Sequence, residues 1–281
     1  MTGTAPDKAQ MRARWRARAP FWDGQADGLA DMADRLNRPM IDAAGIAPGQ
    51  DVLDLASGVG EPALTIARRV GAAGHVTATD LVDEMLAGCR RRAAAAGLTN
   101  IDCRQADMED LPFADGRFDR VTCRFGVMFV PQADRALAEA YRVLKPGGRA
   151  AFMVWGHRED TVMFTIIAAA ARAVFGDDPS FDFDTPFRFG APGQLAALFT
   201  AAGFADAGEI DTHFSPRMPA DQPFWTPQVK MGLGPRLNTA TAAEAAALDD
   251  AIRDGLAPYR NGDGYDLRVH IKFVSGEKPM I

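Results

Sequence analysis

Residues 51–62 read DVLDLASGVGEP, and this stretch decides the fold. The mostly apolar run at 52–55 is typical of a strand that is buried on both faces. The small residues at 56–60 predict a tight turn, and apolar residues recur at helical spacing after Pro62. The stretch therefore predicts a strand, a turn and a helix, which in a parallel sheet is where a ligand binds. A plain structural turn is the alternative.

Composition bounds the class of protein. The chain has 281 residues, of which 47% are hydrophobic and 24% charged, as expected for one large α/β domain or a domain with a cap. The net charge of −6 argues against a broad nucleic-acid-binding surface. The three cysteines lack metal-ligand spacing, which favours a reducing compartment. No apolar run reaches membrane-spanning length and no signal-peptide core is evident, so we expect a cytoplasmic protein with no membrane span.

Further strands follow the first one at regular intervals. They are predicted at 75–80, 101–106, 118–125 and 149–155. Helical patterns separate these strands, so five strands alternate with helices and predict a doubly wound parallel α/β sheet. Two later stretches, 206–214 and 267–274, also alternate as strands do.

Polar residues stand where the second and third strands end. Asp80 lies 26 positions after Asp54, and a carboxylate there can accept hydrogen bonds from two vicinal ribose hydroxyls. Capping of the helix that begins near Val82 is its alternative role. Asp107 suits the exocyclic amine of an adenine whose ring Met108 covers, with turn capping as the alternative for Asp107.

An ordered set of motifs now carries a family resemblance. The motifs are DLASGVG at 54–60, TD at 79–80, ADMEDLPF at 106–113, FDRVTCRFG at 118–126 and YRVLKPGG at 141–148. Over about two-fifths of its length, residues 47–155, the chain resembles the class I S-adenosylmethionine-dependent methyltransferases. Within them it is most similar to the ubiquinone/menaquinone C-methyltransferase group and its small-molecule relatives.

The resemblance implies a fold and a cofactor. The fold is a Rossmann-like, seven-stranded sheet, mostly parallel with an antiparallel last strand, plus helical lid insertions. The cofactor is S-adenosyl-L-methionine, and its product is S-adenosyl-L-homocysteine. The cofactor-binding residues are Asp54, Ala56, Ser57, Gly58, Val59, Gly60, Asp80, Leu81, Met85, Ala106, Asp107, Met108, Arg124 and Phe125. By the family pattern, residues 54–60 cradle the methionine end of the cofactor, and Arg124 lies near the methyl group.

Three positions depart from the family pattern. Ala56 replaces the usual first glycine of the turn, which the fold tolerates. Val59 stands where the quinone enzymes commonly carry a hydroxyl residue, and Arg124 where they commonly carry serine. These two departures leave the identity of the acceptor open more than that of the cofactor.

The rest of the chain divides around this core. We predict an N-terminal helical cap at 1–46, the cofactor-binding core at 47–155, and acceptor-side helices, a lid insertion and the final strands of the same sheet at 156–281. The cap interleaves arginines with Trp15 and Trp22, which predicts either closure over a ligand or a solvated face. The insertion of about fifty residues, Ser215 to Tyr265, is predicted to be a lid or a dimer contact, or else a solvated appendage. We expect the aromatics of the cap and the late insertions to wall an apolar acceptor pocket.

Methyl transfer needs little chemistry from the protein, because the sulfonium is already activated and in-line positioning dominates. His157, just after the fifth strand, is the candidate general base, and an idle surface histidine is its alternative. No histidine, aspartate or glutamate group has metal-ligand spacing, so no metal is predicted.

The function predicted is methylation, at carbon or oxygen, of a small, largely apolar organic acceptor, with a quinone precursor as the alternative acceptor. A homodimer is a further expectation. An NAD-type oxidoreductase would share the glycine-rich turn and the acid after the second strand, although the later LPF and LKPGG motifs favour the methyltransferase. A cofactor-binding partner without catalysis is the third reading.

Overall fold

The computed structural model describes residues 8–26, 30–178 and 181–280. Of the predicted cap, residues 1–7 and 27–29 lie outside the described residues. The helices are α1 Lys8–Gln25, α2 Ala30–Ala44, α3 Ala63–Val70, α4 Asp83–Ala95, α5 Ala133–Val143, α6 Val162–Phe175, α7 Gln194–Ala201, α8 Thr226–Leu237 and α9 Ala242–Leu256. The strands are β1 Asp51–Leu55, β2 His75–Asp80, β3 Ile101–Gln105, β4 Phe118–Arg124, β5 Leu144–Trp155, β6 Ala205–Phe214, β7 Arg217–Pro219, β8 Arg260–Asn261, β9 Gly264–Asp266 and β10 Val269–Glu277.

The main sheet has seven strands in the order β3-β2-β1-β4-β5-β10-β6. The first five strands pair in parallel, and β10 is antiparallel to β5. The predicted seven-stranded, mostly parallel sheet is therefore confirmed. Because β1 lies between β2 and β4, the strand order reverses beside β1, and a ligand crevice forms at such a point in open α/β sheets.

The register sets which polar residues meet at this point. Leu55, the last residue of β1, pairs with Thr79 on one side and with Cys123 on the other. The turn after β1 therefore lies level with Asp80 on β2 and Arg124 on β4. The apolar residues of β1 are fully buried, as their sequence predicts.

The chain divides into two compact units. Unit 1 comprises residues 1–154, 192–210 and 273–281, and unit 2 comprises residues 155–191 and 211–272. Unit 2 has its own apolar core, in which α6, α8 and α9 pack around the buried Trp225. The Trp225 Nε1 donates a hydrogen bond to Asp249 Oδ1 at 2.8 Å, which ties α9 to the start of α8. The aromatic segment of the insertion is thus part of a packed core.

Unit 2 also contains a small sheet that the sequence did not predict. Its strands follow the order β7-β9-β8 and are two or three residues long. Runs this short are below the length at which alternation can be recognised. None of the helices in the described part of the chain has the length and apolarity needed to cross a membrane.

Candidate functional site

The turn after β1 is shaped by left-handed backbone positions. Ala56 and Gly58 have φ angles of 53° and 54°, so a non-glycine residue occupies a conformation that costs roughly 1–2 kcal/mol. Backbone atoms hold the turn: the Ser57 N–H donates to Thr79 O at 2.8 Å. A Cβ on Gly126 would lie 2.5 Å from the Ala56 Cβ, so only glycine lets β4 end this close to the turn. Gly126, just after the end of β4, therefore leaves the space that the Cβ of Ala56 needs.

Asp80 anchors this turn to the start of α4. Its Oδ2 accepts a hydrogen bond from the Gly58 N–H and its Oδ1 from the Val82 N–H, both at 3.0 Å. Burial raises the pKa of the Asp80 carboxyl to about 6, and these backbone N–H groups offset part of that rise. The hydrogen bond from the Val82 N–H shows that Asp80 does cap the start of α4. Each carboxylate oxygen still has a lone pair with which it can accept a hydrogen bond from a ligand.

Asp54 lies beneath the turn and is fully buried. Its Oδ1 accepts a hydrogen bond from the Thr122 Oγ1 at 2.6 Å, whereas its Oδ2 has no partner within the described chain. Burial raises the pKa of the Asp54 carboxyl to about 7, although hydrogen bonds from Ser57 and Thr122 lower it. An unpartnered buried oxygen is costly, so this position is suited to a donor that arrives with a ligand.

A cavity of about 220 Å³ opens beside these residues in unit 1. All but two of the predicted cofactor-binding residues line this cavity, and the exceptions are Asp54 and Gly60. Asp54 lies below the turn. Gly60 faces the protein interior, since a Cβ there would lie 2.8 Å from Leu64 Cδ1. The lining residues are Met11, Trp15, Trp22, Ala26, Ala56, Ser57, Gly58, Val59, Glu61, Thr79, Asp80, Leu81, Met85, Arg92, Ala106, Asp107, Met108, Arg124, Phe125, Gly126, Phe129 and Val130. A Cβ on Gly58 would meet no protein atom within 4 Å, so this residue leaves room for a ligand at the turn.

Helix α1 lies along one wall of the cavity. At its start, the Lys8 Nζ is 2.7 Å from Asp107 Oδ2, and in its middle the Trp15 ring meets the Phe129 ring edge-on with centroids 5.1 Å apart. At its end, Trp22 packs with the apolar residues at the start of α4, and Asp23 forms an ion pair with Arg91. Both tryptophans line the cavity, as the ligand-closing interpretation of this helix predicts.

Arg124 brings a positive charge to the same cavity. Its Nε is shielded from solvent and has no hydrogen-bond partner among the residues described. Burial lowers the pKa of the Arg124 guanidinium, while the nearby carboxylates of Glu61 and Asp54 raise it. Glu61 is held in place by hydrogen bonds from Asn37 Nδ2 and Thr65 Oγ1, both at 2.8 Å.

The sequence analysis did not select several of the lining residues. Glu61 is within the stretch that decides the fold, so its position next to the turn was an available signal. Phe129 and Val130 follow β4 just as Asp107 and Met108 follow β3, and the same strand-end argument would have found them. Nothing in the local pattern marks Arg92, which reaches the cavity from the far end of α4.

Comparison with known proteins agrees with this geometry. The sequence profile described as "Methyltransferase domain" matches residues 52–148. The ubiquinone/menaquinone biosynthesis C-methyltransferases UbiE of Methylobacterium nodulans and Brucella abortus are 39% and 37% identical to the chain over 164 and 168 residues. These matches cover 55% and 56% of the chain, and the chain spans 65% and 62% of the length of these relatives. Residues 52–148 of this chain therefore match a methyltransferase domain.

Solved structures show the same fold. The 4+2 cyclase SpnF is 22% identical, with a TM-score of 0.66 over 99% of this chain and 98% of its own. A phosphoethanolamine N-methyltransferase 2 of Haemonchus contortus, in complex with S-adenosylhomocysteine, is 20% identical, with a TM-score of 0.54 over 87% of this chain and 52% of its own. These structures show the fold alone, whereas the domain match and the UbiE relatives confirm the methyltransferase resemblance predicted from the motifs.

The candidate base, His157, lies outside the methyltransferase domain match, in unit 2. Its side chain is exposed, and its backbone N–H donates to His270 Nδ1 at 2.9 Å. His157 is not among the described residues that line the cavity of unit 1. Its role as a general base stays a prediction.

Unit 2 brings together three potential metal ligands that are far apart in sequence, namely Asp160, His213 and His270. Their ligand atoms lie within 4.8 Å of one another, a grouping that sequence spacing could not reveal. Both ring nitrogens of His270 are engaged, since Nδ1 accepts from the His157 N–H and Nε2 lies 2.6 Å from Asp211 Oδ1. The buried imidazole is thus held by hydrogen bonds on both sides.

Proposed function

We propose that the chain transfers a methyl group from S-adenosyl-L-methionine to a small, largely apolar organic acceptor, at carbon or oxygen. One observation carries the proposal: a single cavity joins the polar ends of β1, β2 and β3 to an apolar wall from α1. Fold alone would not suffice, because a neighbour with the same fold is described as a cyclase.

The residues present fit the proposed cofactor along its whole length. The Arg124 Nε lines the cavity, has no partner among the described residues and provides a donor for the carboxylate of the methionine end, while the Asp54 carboxylate below the turn places negative charge near the ammonium. Asp80 offers a buried carboxylate to the ribose hydroxyls, and Asp107 with Met108 provides the adenine site. When bound, the cofactor supplies an activated methyl group on its sulfonium.

The protein contributes orientation and exclusion of water. Trp15 and Phe129 meet edge-on at the cavity wall and present apolar surface to an acceptor. Holding two reactants in line can contribute on the order of 7–11 kcal/mol to lowering a barrier, so no catalytic acid or base is needed unless the acceptor must lose a proton. If it must, His157 is the proposed base.

Two classes of acceptor are considered for this chain, a quinone precursor and another small apolar molecule. The UbiE relatives are named as C-methyltransferases of quinone biosynthesis, which makes a quinone precursor the alternative acceptor for this chain. Arg124 and Val59, which depart from the quinone-enzyme pattern, both line the cavity. They favour a different small apolar acceptor as the principal reading.

Calorimetric titration tests the proposal directly. We expect S-adenosylhomocysteine to bind in the micromolar range and NADH not to bind, which would separate the methyltransferase from an oxidoreductase. Incubation of the protein with S-adenosylmethionine carrying a deuterated methyl group and a small-molecule cell extract should then yield a deuterated product by mass spectrometry. Binding of NADH instead, or failure to bind S-adenosylhomocysteine, would overturn the proposal.

The affinity for S-adenosylhomocysteine should rise with pH. The Asp80 carboxyl has a raised pKa of about 6, and the ribose hydroxyls donate to its ionised form. Ligand binding therefore favours loss of the proton, and ionisation of Asp80 should increase the affinity about tenfold between pH 5 and pH 7; ionisation of Asp54, whose pKa burial raises to about 7, should add to this rise. Titrations at these two pH values measure the change. Asp83→Asn is the control, because an ion pair with Arg90 keeps the pKa of Asp83 low and its charge constant over this range. A flat or falling affinity would contradict the assignment.

A further inference from the structure

The indole nitrogen of Trp22 is buried and has no hydrogen-bond acceptor among the described residues. The indole ring nevertheless lines the cavity. A buried N–H that lacks an acceptor weakens a fold, so native proteins rarely keep one unless something else binds there. Trp22 lies on α1, outside the methyltransferase match at 52–148.

The contacts of α1 place Trp22 at a defined end of the cavity. Lys8, at the start of the helix, contacts Asp107, the proposed adenine-binding residue. Trp22 and Val59 belong to one apolar cluster at the other end of the helix. A Cβ on Gly88 of α4 would lie 2.7 Å from Asp23 Oδ1 and 2.9 Å from Val59 Cγ1, so the end of α1 and the glycine-rich turn both approach α4 at this glycine. Helix α1 therefore follows the cavity from the proposed adenine end to the proposed methionine end.

Two unpartnered buried donors line this cavity, the Trp22 Nε1 and the Arg124 Nε. Arg124 lies near Asp54 and Glu61 by its electrostatic interactions. Glu61 follows the turn that contains Val59, and Val59 packs against the same apolar cluster as Trp22. Both donors are thus near one end of the cavity. A carboxylate has several lone pairs in one plane and can accept from both donors, which a neutral thioether or a ribose edge cannot do as well.

We infer that the Trp22 Nε1 donates a hydrogen bond to the carboxylate at the methionine end of the cofactor, so that α1 recognises the amino-acid part of the ligand. The inference rests on the proposed function. Trp22 is then a cofactor-binding residue supplied from outside the matched domain. The alternative is that the indole ring only packs on Val82 and Met85, in which case its nitrogen would have no effect on binding.

A pair of ligands isolates the contact. S-adenosylhomocysteine carries the amino-acid end, and 5′-methylthioadenosine lacks it but keeps the adenine, ribose and sulfur. Trp22→Phe keeps an aromatic ring on α1 and removes the N–H donor; it also makes the ring system smaller, and a loss of packing alone would affect both ligands equally. We expect this variant to bind S-adenosylhomocysteine about tenfold more weakly by calorimetry and to bind 5′-methylthioadenosine within about twofold of the wild type.

Trp15→Phe is the matched control. Trp15 lies on the same helix and lines the same cavity. Its ring meets Phe129 edge-on, and its Nε1 is not one of the buried nitrogens that lack a partner among the described residues. Its replacement should leave the ratio of the two affinities unchanged. An equal loss for both ligands in Trp22→Phe, or no loss for either, would overturn the inference and assign the ring to packing.

An independent measurement does not depend on any variant being stable. In ¹⁵N-labelled wild-type protein, the Trp22 indole N–H resonance should shift downfield with S-adenosylhomocysteine and shift much less with 5′-methylthioadenosine. Equal shifts with both ligands would contradict a contact to the carboxylate. If the wild type binds 5′-methylthioadenosine and S-adenosylhomocysteine but Trp22 is indifferent, only this inference fails; if it binds neither, the proposed function fails with it.

Discussion

Asp80→Asn should lower the affinity for S-adenosylhomocysteine about 100-fold. The ribose hydroxyls lose the charge on their acceptor, and hydrogen bonds to a charged group contribute about 1.5–3 kcal/mol each. Asparagine is the better replacement here, because its Oδ1 can still accept from one of the two N–H groups, Gly58 or Val82, that the two oxygens of the Asp80 carboxylate accept from. Alanine would leave both of these donors without a partner and would disturb the turn itself. Calorimetry at pH 8, where Asp80 is ionised, measures the loss.

Thermal unfolding of the ligand-free variant provides the check on structure. Burial raises the pKa of Asp80, so a neutral side chain relieves an unfavourable charge in the free protein, whereas the amide loses one of the two accepted backbone hydrogen bonds. These effects oppose each other, so the unfolding midpoint at pH 8 should change little. A loss of affinity with an unchanged midpoint assigns the effect to the ligand. If Asp80→Asn bound S-adenosylhomocysteine within threefold of the wild type, the ribose would have to be held elsewhere.

The core of the fold could be predicted because its signals are local. Residues 51–62 contain a buried strand, a turn of small residues and a helix start, and each element is recognisable within a few positions. Strand order then follows from chirality and short connections, which bring Asp80 beside Gly58 without any long-range information. For the same reason, nearly all the predicted cofactor-binding residues line one cavity.

The position of helix α1 at the cavity could not be predicted from local sequence signals. Arginines alternating with aromatics fit a solvated helix and a ligand-covering helix equally well, because both bury one stripe and expose the other. Contacts of Trp15 with Phe129 and of Lys8 with Asp107, pairs separated by about a hundred residues, place the helix at the cavity wall, and its closure over a ligand stays a prediction. Similarly, the His270 cluster depends on residues from both segments of unit 2. The contribution of the late insertions to an acceptor pocket stays a prediction.

Arg124→Met should separate ligand binding from folding. The Arg124 Nε has no partner among the described residues; burial disfavours the guanidinium charge, whereas the carboxylates of Asp54 and Glu61 favour it. These effects oppose each other, so a methionine of similar length should leave the unfolding midpoint close to that of the wild type. The same change removes the proposed cationic donor for the methionine carboxylate. We expect the affinity for S-adenosylhomocysteine to fall about 100-fold, since a charge-assisted contact in a buried site contributes roughly 2–3 kcal/mol.

The changes in unfolding midpoint and in ligand affinity together distinguish two roles for Arg124. A structural arginine would lose stability and ligand affinity together, whereas a ligand-binding arginine trades a burial penalty in the free protein for a contact in the bound one. Arg69→Met is a control in the same unit, because the Arg69 Nε donates to Ile46 O at 3.1 Å and the residue does not line the cavity. Arg69→Met should lose some stability and keep its affinity. Wild-type affinity in Arg124→Met would show that the buried cation serves the acceptor and not the cofactor, and a sharp fall in its unfolding midpoint would show that it serves the fold.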